Sequence, residues 1–311
     1  MDKTKFSRPL SLKNVQITDT FWKKEMELVR TEVIPYQWRA LNDEVEGAAP
    51  SFCMHNFEAA GRQNKERREK GAEFKEPVYT FRGFETLPED PGHLEDKFYG
   101  FVFQDSDFYK WIEAVGYSLS QHPDEKFVAI AENQRKNSSF YTKAAYFSSR
   151  MENCTAEFER PTDFVLILNG KDKIFTNLKD NHELYCLGHL LEGAVAYYDA
   201  TGKDKLLNAA KRYADYVDSC FGKEEGKCKG YPGHEIAEMA LVRLYETTGE
   251  DKYLNLARFF IDERGTRPYY YDNEHPEEVK KKPDGLRYEY NQAHKPVREQ
   301  DEAVGHSVRA V

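Results

Sequence analysis

Apolar positions recur at helical spacing in three separate stretches, Phe108 to Leu119, Leu184 to Tyr198 and Ile236 to Tyr245, and each stretch predicts an amphipathic helix. The last two lead into a repeated hinge. Thr201-Gly202-Lys203-Asp204-Lys205-Leu206-Leu207 recurs as Thr248-Gly249-Glu250-Asp251-Lys252-Tyr253-Leu254, with a fainter copy at His122-Pro123-Asp124-Glu125-Lys126-Phe127. After both clear hinges the helical spacing resumes, from Leu206 to Phe221 and from Tyr253 to Ile261. The unit is helix, glycine turn, helix. Its two clear copies lie about 47 residues apart, a period of helical-hairpin arrays. The expected fold is all-α, with hairpins either stacked in an open solenoid or closed into a ring of inner and outer helices.

Residue size tells the two kinds of helix apart. Leu187-Gly188-His189-Leu190-Leu191-Glu192-Gly193-Ala194-Val195-Ala196 has small residues on several faces, as a helix packed on both sides requires. The following helix carries a single stripe, Leu206, Ala209, Ala210, Tyr213 and Val217, which predicts an outer helix facing the core on one side.

Three histidines stand where helices are expected to begin: Asn181-His182-Glu183, Gly233-His234-Glu235 and Gly305-His306-Ser307. Exposed N–H groups and the positive end of the helix dipole disfavour imidazolium there, so a closed toroid would gather three neutral rings at one mouth. Neutral imidazoles pair donor with acceptor and suit a hydroxyl-rich ligand. Asp105-Ser106-Asp107, a doubled N-cap signal before Phe108, places a fourth helix start on the same rim. Taken singly, each histidine reads as a cap for its own helix.

Elsewhere the pattern is weaker. Pro9 to Phe21 alternates like an extended lead-in, and Thr20 to Val33 predicts a helix ending before Pro35. Gly61 to Glu76, dense in Arg, Lys and Glu, reads as a solvated helix or loop, and Phe98 to Gln104 as a strand. Tyr269 to Gln292 reads as a long aromatic loop, a common place for binding residues.

Charge and composition narrow the partners. Forty-five basic against 54 acidic residues give a net charge of −9, which argues against nucleic acid or an anionic membrane as partner. No apolar run approaches a membrane span and no signal-peptide core follows Met1, so a cytoplasmic protein is expected. Cys53, Cys154, Cys186, Cys220 and Cys228 are odd in number and form no CxxC pair, which indicates neither a disulfide framework nor a zinc knuckle.

The motifs Val15-Gln16-Ile17-Thr18-Asp19-Thr20-Phe21-Trp22, Gly100-Phe101-Val102-Phe103-Gln104-Asp105-Ser106-Asp107-Phe108-Tyr109-Lys110-Trp111, Asn181-His182-Glu183-Leu184-Tyr185, Gly230-Tyr231-Pro232-Gly233-His234 and Pro296-Val297-Arg298-Glu299-Gln300 through Gly305-His306-Ser307 resemble glycoside hydrolase family 127, the β-L-arabinofuranosidases. The resemblance implies an (α/α)6 catalytic barrel, of which residues 1–311 form a single N-terminal portion, and release of β-linked L-arabinofuranose with retention. It implies sugar contacts at His182, His234 and His306, with Asp105 or Asp107 nearby. It also implies a homodimer in the full-length protein.

Two departures accompany it. The family's cysteine nucleophile, acid/base glutamate and zinc ligands lie beyond the last matching motif, and none of the five cysteines matches them. No catalytic residue, metal ligand or cofactor is therefore expected within the chain, which alone is expected to be inactive, although zinc belongs to the complete family enzyme. Residues 132–168, around Asn133-Gln134-Arg135-Lys136-Asn137-Ser138-Ser139, have no family counterpart between matching flanks, the texture of a local frame change. That segment is expected to be the least regular part of the array.

Other chemistry fits poorly. His189 follows His182 by seven residues instead of the four of a zinc-protease helix. Glu299, Asp301 and Glu302 offer paired carboxylates but read better as favourable charges before the last helix, and Arg298 is open to an anion or to Glu299. A non-catalytic carbohydrate-binding or scaffold toroid is the alternative function, with an epimerase or lyase on the same architecture as a remote third.

Overall fold

Each clear hinge is held by the same three bonds. Thr201 Oγ1 donates to Tyr197 O (2.7 Å), Gly202 N–H to Tyr198 O (2.7 Å) and Lys203 N–H to Thr201 Oγ1 (3.2 Å). Thr248 repeats them on Leu244 O (2.8 Å), with Gly249 N–H on Tyr245 O (2.7 Å) and Glu250 N–H on Thr248 Oγ1 (3.3 Å). Both glycines are left-handed, at φ 71° and 74°, which closes the helix end and turns the chain back.

The hinges join two hairpins, α5 (Glu183–Thr201) to α6 (Lys205–Cys220) and α7 (Ala237–Thr248) to α8 (Asp251–Glu263). Before them come α1 (Thr20–Leu28), α2 (Ile34–Leu41), α3 (Cys53–Lys70) and α4 (Asp105–Gln121). Two short helices, α9 (Tyr270–Glu274) and α10 (Pro276–Lys281), follow α8. This is a computed structural model that describes residues 9–75, 77–79, 92, 94–122, 174–281 and 288–307, and among them the fold is all-α. Residues 132–168 lie outside the described residues, as does the faint third hinge after His122.

α5 is the inner helix that its small residues predict. It packs on α4 at one side and on α7 at the other. A Cβ at Gly116 of α4 would lie 2.6 Å from the Ala196 carbonyl carbon, and one at Gly193 of α5 would lie 2.7 Å from Tyr109 O, so the backbones touch directly. On the other side Gly188 meets Ile236 and Ala237. The predicted outer stripe is also as expected, with Leu206, Ala209, Ala210, Tyr213 and Val217 all buried. Ion pairs Lys211–Glu250 (2.6 Å) and Lys252–Asp215 (2.7 Å) then join α6 to the second hairpin.

Several expectations are corrected. Pro9 to Phe21 is not extended throughout but contains a 3-10 turn at Leu12–Asn14, and α1 starts at Thr20 with Asp19 accepting from Trp22 N–H (2.8 Å). The first helix does not end before Pro35: a π turn at Val29–Val33 passes into α2, where proline sits in the first turn and no N–H is missed. Phe98 to Gln104 is a loop and turn, buried at Phe98, Tyr99 and Gln104 and exposed at Phe101 and Phe103. The Asn56 amide bonds its backbone, donating to Tyr99 O (2.8 Å) and accepting from Tyr99 N–H (2.9 Å). α4 begins at Asp105 itself, so neither aspartate caps it and both occupy its first turn. The charged stretch after Gly61 completes α3 and a 3-10 turn at Gly71–Glu73, and the aromatic loop holds α9 and α10.

Gly116→Ala tests the direct α4–α5 contact. Helix propensity alone favours alanine by about 1 kcal/mol, yet forcing a methyl group into the crossing is expected to give a net loss of roughly 1–3 kcal/mol. Urea denaturation would show a lower midpoint; an unchanged or higher one would mean that the helices separate freely there.

Candidate functional site

His182 stands just before α5 with φ 64°, a left-handed conformation rare for a residue with a side chain. It makes no side-chain cap. Its Nδ1 lies 2.6 Å from Asp180 O, and a carbonyl only accepts, so Nδ1 carries a proton and this backbone bond orients the ring. The capping role is thus excluded for this histidine.

The other two rings join it. His182 and His234 have centroids 4.7 Å apart, and His234 and His306 5.8 Å. Three helix-start segments far apart in sequence therefore meet in one contiguous row of half-buried imidazoles. His234 precedes α7 by a turn, and Ser307 after His306 is the last residue described.

Aromatic residues frame the row. Tyr185 packs edge-on to His182 (5.5 Å), His234 (5.2 Å) and His189 (4.6 Å), Tyr290 on His306 (5.2 Å), and exposed Phe103 on His182 (5.4 Å). Lys110 Nζ donates to Tyr185 O–H (2.9 Å) and lies 3.9 Å from Asp107. Asp107 is the half-exposed aspartate beside this group; Asp105 lies beneath it, 2% exposed. A cleft of about 540 Å³ runs from Asp107 and Lys110 towards Val29, Val33 and Trp111. Tyr185 was visible in the motif Asn181-His182-Glu183-Leu184-Tyr185, one turn on from His182, but was not singled out. Phe103 and Lys110 stand in the motif Gly100 to Trp111, and Tyr290 in the aromatic stretch Tyr269 to Gln292.

Removal from water keeps much of the surrounding chemistry neutral. Burial pushes the Asp105 carboxyl up to about 7, with the nearby Asp107 charge adding to it. Burial raises Glu183, behind His182, to about 7 as well. His189 is driven the other way, to about 4, by burial and then by Lys110. The remaining candidates are structural: Arg298 pairs with Asp262 (2.8 Å), and exposed Asp301 with Lys295 (2.6 Å).

The loop that carries His234 and the turn that carries Tyr290 are tied beneath the rim. Fully buried Arg264 donates to Pro232 O (2.7 Å), Asn291 O (3.2 Å) and Glu238 Oε1 (3.0 Å), and pairs with Glu235 (2.8 Å). Tyr271 O–H adds a second bond to Pro232 O (2.9 Å).

The described residues thus form an all-helical hairpin array with three imidazoles gathered at one rim. Residues 14–311 match the sequence profile described as the GH127 catalytic domain of β-L-arabinofuranosidase, and the chain belongs to that family. It is 34% identical to the non-reducing end β-L-arabinofuranosidase of Bifidobacterium longum subsp. longum over 300 residues, which cover 95% of this chain and 41% of the relative. The solved GH127 β-L-arabinofuranosidase Ara127N-Se of Geobacillus stearothermophilus T6 superposes with a TM-score of 0.74 at 40% identity, over 96% of this chain and 40% of that one. The GH127 β-arabinofuranosidase BT3674 gives 0.68 at 32% identity, over 97% and 38%. The chain thus spans about two fifths of these relatives.

Asp105 gives a test with a definite sign. Its folded pKa stands above the unfolded value, so the stability it contributes is complete below about pH 4 and is lost as pH rises through about 7. Asp105→Asn removes that loss, so the variant is expected to be more stable than the parent at about pH 8, by up to about 4 kcal/mol. The gap should close towards about pH 4. Urea melts across this range check it, and a parent that holds its lead at high pH would show an ionised, paired Asp105.

Proposed function

We propose that His182, His234 and His306 bind the L-arabinofuranose unit of a β-linked saccharide, in the sugar-recognition part of a retaining β-L-arabinofuranosidase. The contiguous histidine row carries this reading, with the His182 ring oriented by its Nδ1 bond to Asp180 O. Asp107 and Lys110 supply a further acceptor and donor at the edge, and Tyr185 lies between the rings and Lys110. What the two bacterial relatives' names describe, β-L-arabinofuranoside cleavage, is the reaction this arrangement would serve.

We assign no nucleophile to the buried cysteines Cys53, Cys186 and Cys228. Burial pushes the Cys53 and Cys186 thiols well above their ordinary value and raises Cys228 too, the opposite of what a thiolate nucleophile needs. Among the described residues no group of three or more His, Cys, Asp or Glu side chains is placed to hold a metal. The chain's own groups bind and orient the sugar; no bond-breaking step is assigned to them.

Titration calorimetry of the 311-residue chain with L-arabinose tests the proposal. Binding should weaken by about 1–3 kcal/mol for alanine at any one histidine, since each truncation leaves a sugar hydroxyl without its partner. Unchanged affinity in all three variants would return them to a structural role. The chain assayed with zinc and an aryl β-L-arabinofuranoside is expected to show no turnover, and turnover with bound zinc would place the nucleophile among these cysteines after all.

A further inference from the structure

Outside the histidine row, one half-buried carboxylate is aimed at backbone. Glu274, the last residue of α9, accepts from Leu178 N–H through Oε1 (2.8 Å) and from Lys179 N–H through Oε2 (3.4 Å). Two successive amides turned towards one carboxylate form an anion nest, here filled from 96 residues away. Next along the chain, His275 Nε2 lies 3.1 Å from Asn177 Oδ1, and the same oxygen accepts from Asp180 N–H (3.2 Å). The turn 177–180 is therefore gripped from α9, and its Asp180 carbonyl is the acceptor that orients His182. Its inner side touches the second histidine loop, because a Cβ at Gly233 would fall inside the Leu178 and Lys179 carbonyl oxygens. A shift of this one turn would move His182 and unseat His234.

We propose that Glu274 is a positioning residue for the sugar-binding rim: its carboxylate holds the Leu178–Lys179 turn, which sets the orientation of His182 and the seat of the Gly233–His234 loop. The role in sugar binding rests on the function proposed above; the clamp itself does not. Burial raises the Glu274 carboxyl to about 7, against the lowering effect of the two amides. Lys179, Asp180 and Glu183 are the charged groups around it, with the Cys228 thiol and the Tyr231, Tyr270 and Tyr271 phenols on the other packed elements. Above about pH 7 the ionised form accepts both bonds at charge-assisted strength; protonation leaves a group that glutamine imitates.

Glu274→Gln in the full chain tests this. Amide hydrogen exchange of Leu178 and Lys179 at about pH 8 should quicken roughly tenfold or more, as expected for losing charge-assisted bonds, while core amides such as Val217 stay protected. The His182 ring resonances should shift with it. L-arabinose affinity should fall by a similar factor at about pH 8, and the difference between parent and variant should vanish below about pH 6, where the parent's Glu274 is protonated. Unchanged exchange and unchanged His182 resonances would overturn the clamp. Faster exchange with an equal affinity ratio at every pH would overturn its positioning role. A parent that binds no L-arabinose would refute the proposed function alone, and the exchange and ring resonances would still decide whether Glu274 holds His182. If Glu274→Gln fails to fold, the parent's own Leu178 and Lys179 protection must rise through about pH 7 relative to Val217, and a flat profile refutes the clamp.

Discussion

A guanidinium taken wholly out of water must be surrounded by acceptors, and the way Arg264 meets that demand organises the site. Burial works against its charge, but Glu235 and Glu238 outweigh this and hold it protonated. Its remaining N–H groups reach two backbone carbonyls, Pro232 O and Asn291 O, and its face lies 4.9 Å over the Tyr231 ring. The first carbonyl belongs to the loop of His234, and the second lies next to Tyr290, which packs on His306. One charge thereby binds the end of α8, the start of α7 and the 288–292 turn. A rearrangement that moved the Pro232–His234 loop would strand part of that charge, so the buried arginine holds this loop in place.

The same logic of desolvation runs through the rim in the opposite direction. Where Arg264 keeps its charge through two carboxylates, Asp105, Glu183 and His189 lack strong counter-charges and are driven towards their neutral forms. Neutral groups with fixed donors and acceptors are what an uncharged sugar can compete for against water. Lys110 and Asp107, half exposed and 3.9 Å apart, balance each other and leave the edge without a net field. The site is polar without being strongly charged.

How far the sequence foretells this depends on the range of each interaction. The hinge bonds span four residues or fewer, so Thr201-Gly202 and Thr248-Gly249 encode their turns locally, and the stripe from Leu206 to Val217 marks its buried face through helical spacing alone. The three histidines were recognisable from their place at predicted helix starts. Asp105 was misread as a cap because nothing local reveals that Gln104 lets the helix begin one turn early. Phe98 to Gln104 reads as a strand because its alternation is genuine, but among the described residues the Asn56 side chain bonds its backbone at Tyr99. Arg264 and Glu274 could not be singled out, since their partners lie tens of residues away and become neighbours only when the hairpins pack.

These long-range ties explain why a hairpin array can carry a precise site. Each hairpin contacts mainly its neighbours, so its helix-start loops would be free to drift if the array relied on helix packing alone. The α5 backbone, in direct contact with α4 and α7, fixes the spacing between helices, but it does not fix the loops that precede them. Those are held from outside the repeat, by Arg264 at the end of α8 and by Glu274 at the end of α9. Both clamps act on backbone atoms, carbonyls for the cation and amides for the anion, so they set loop position without occupying the histidine side chains.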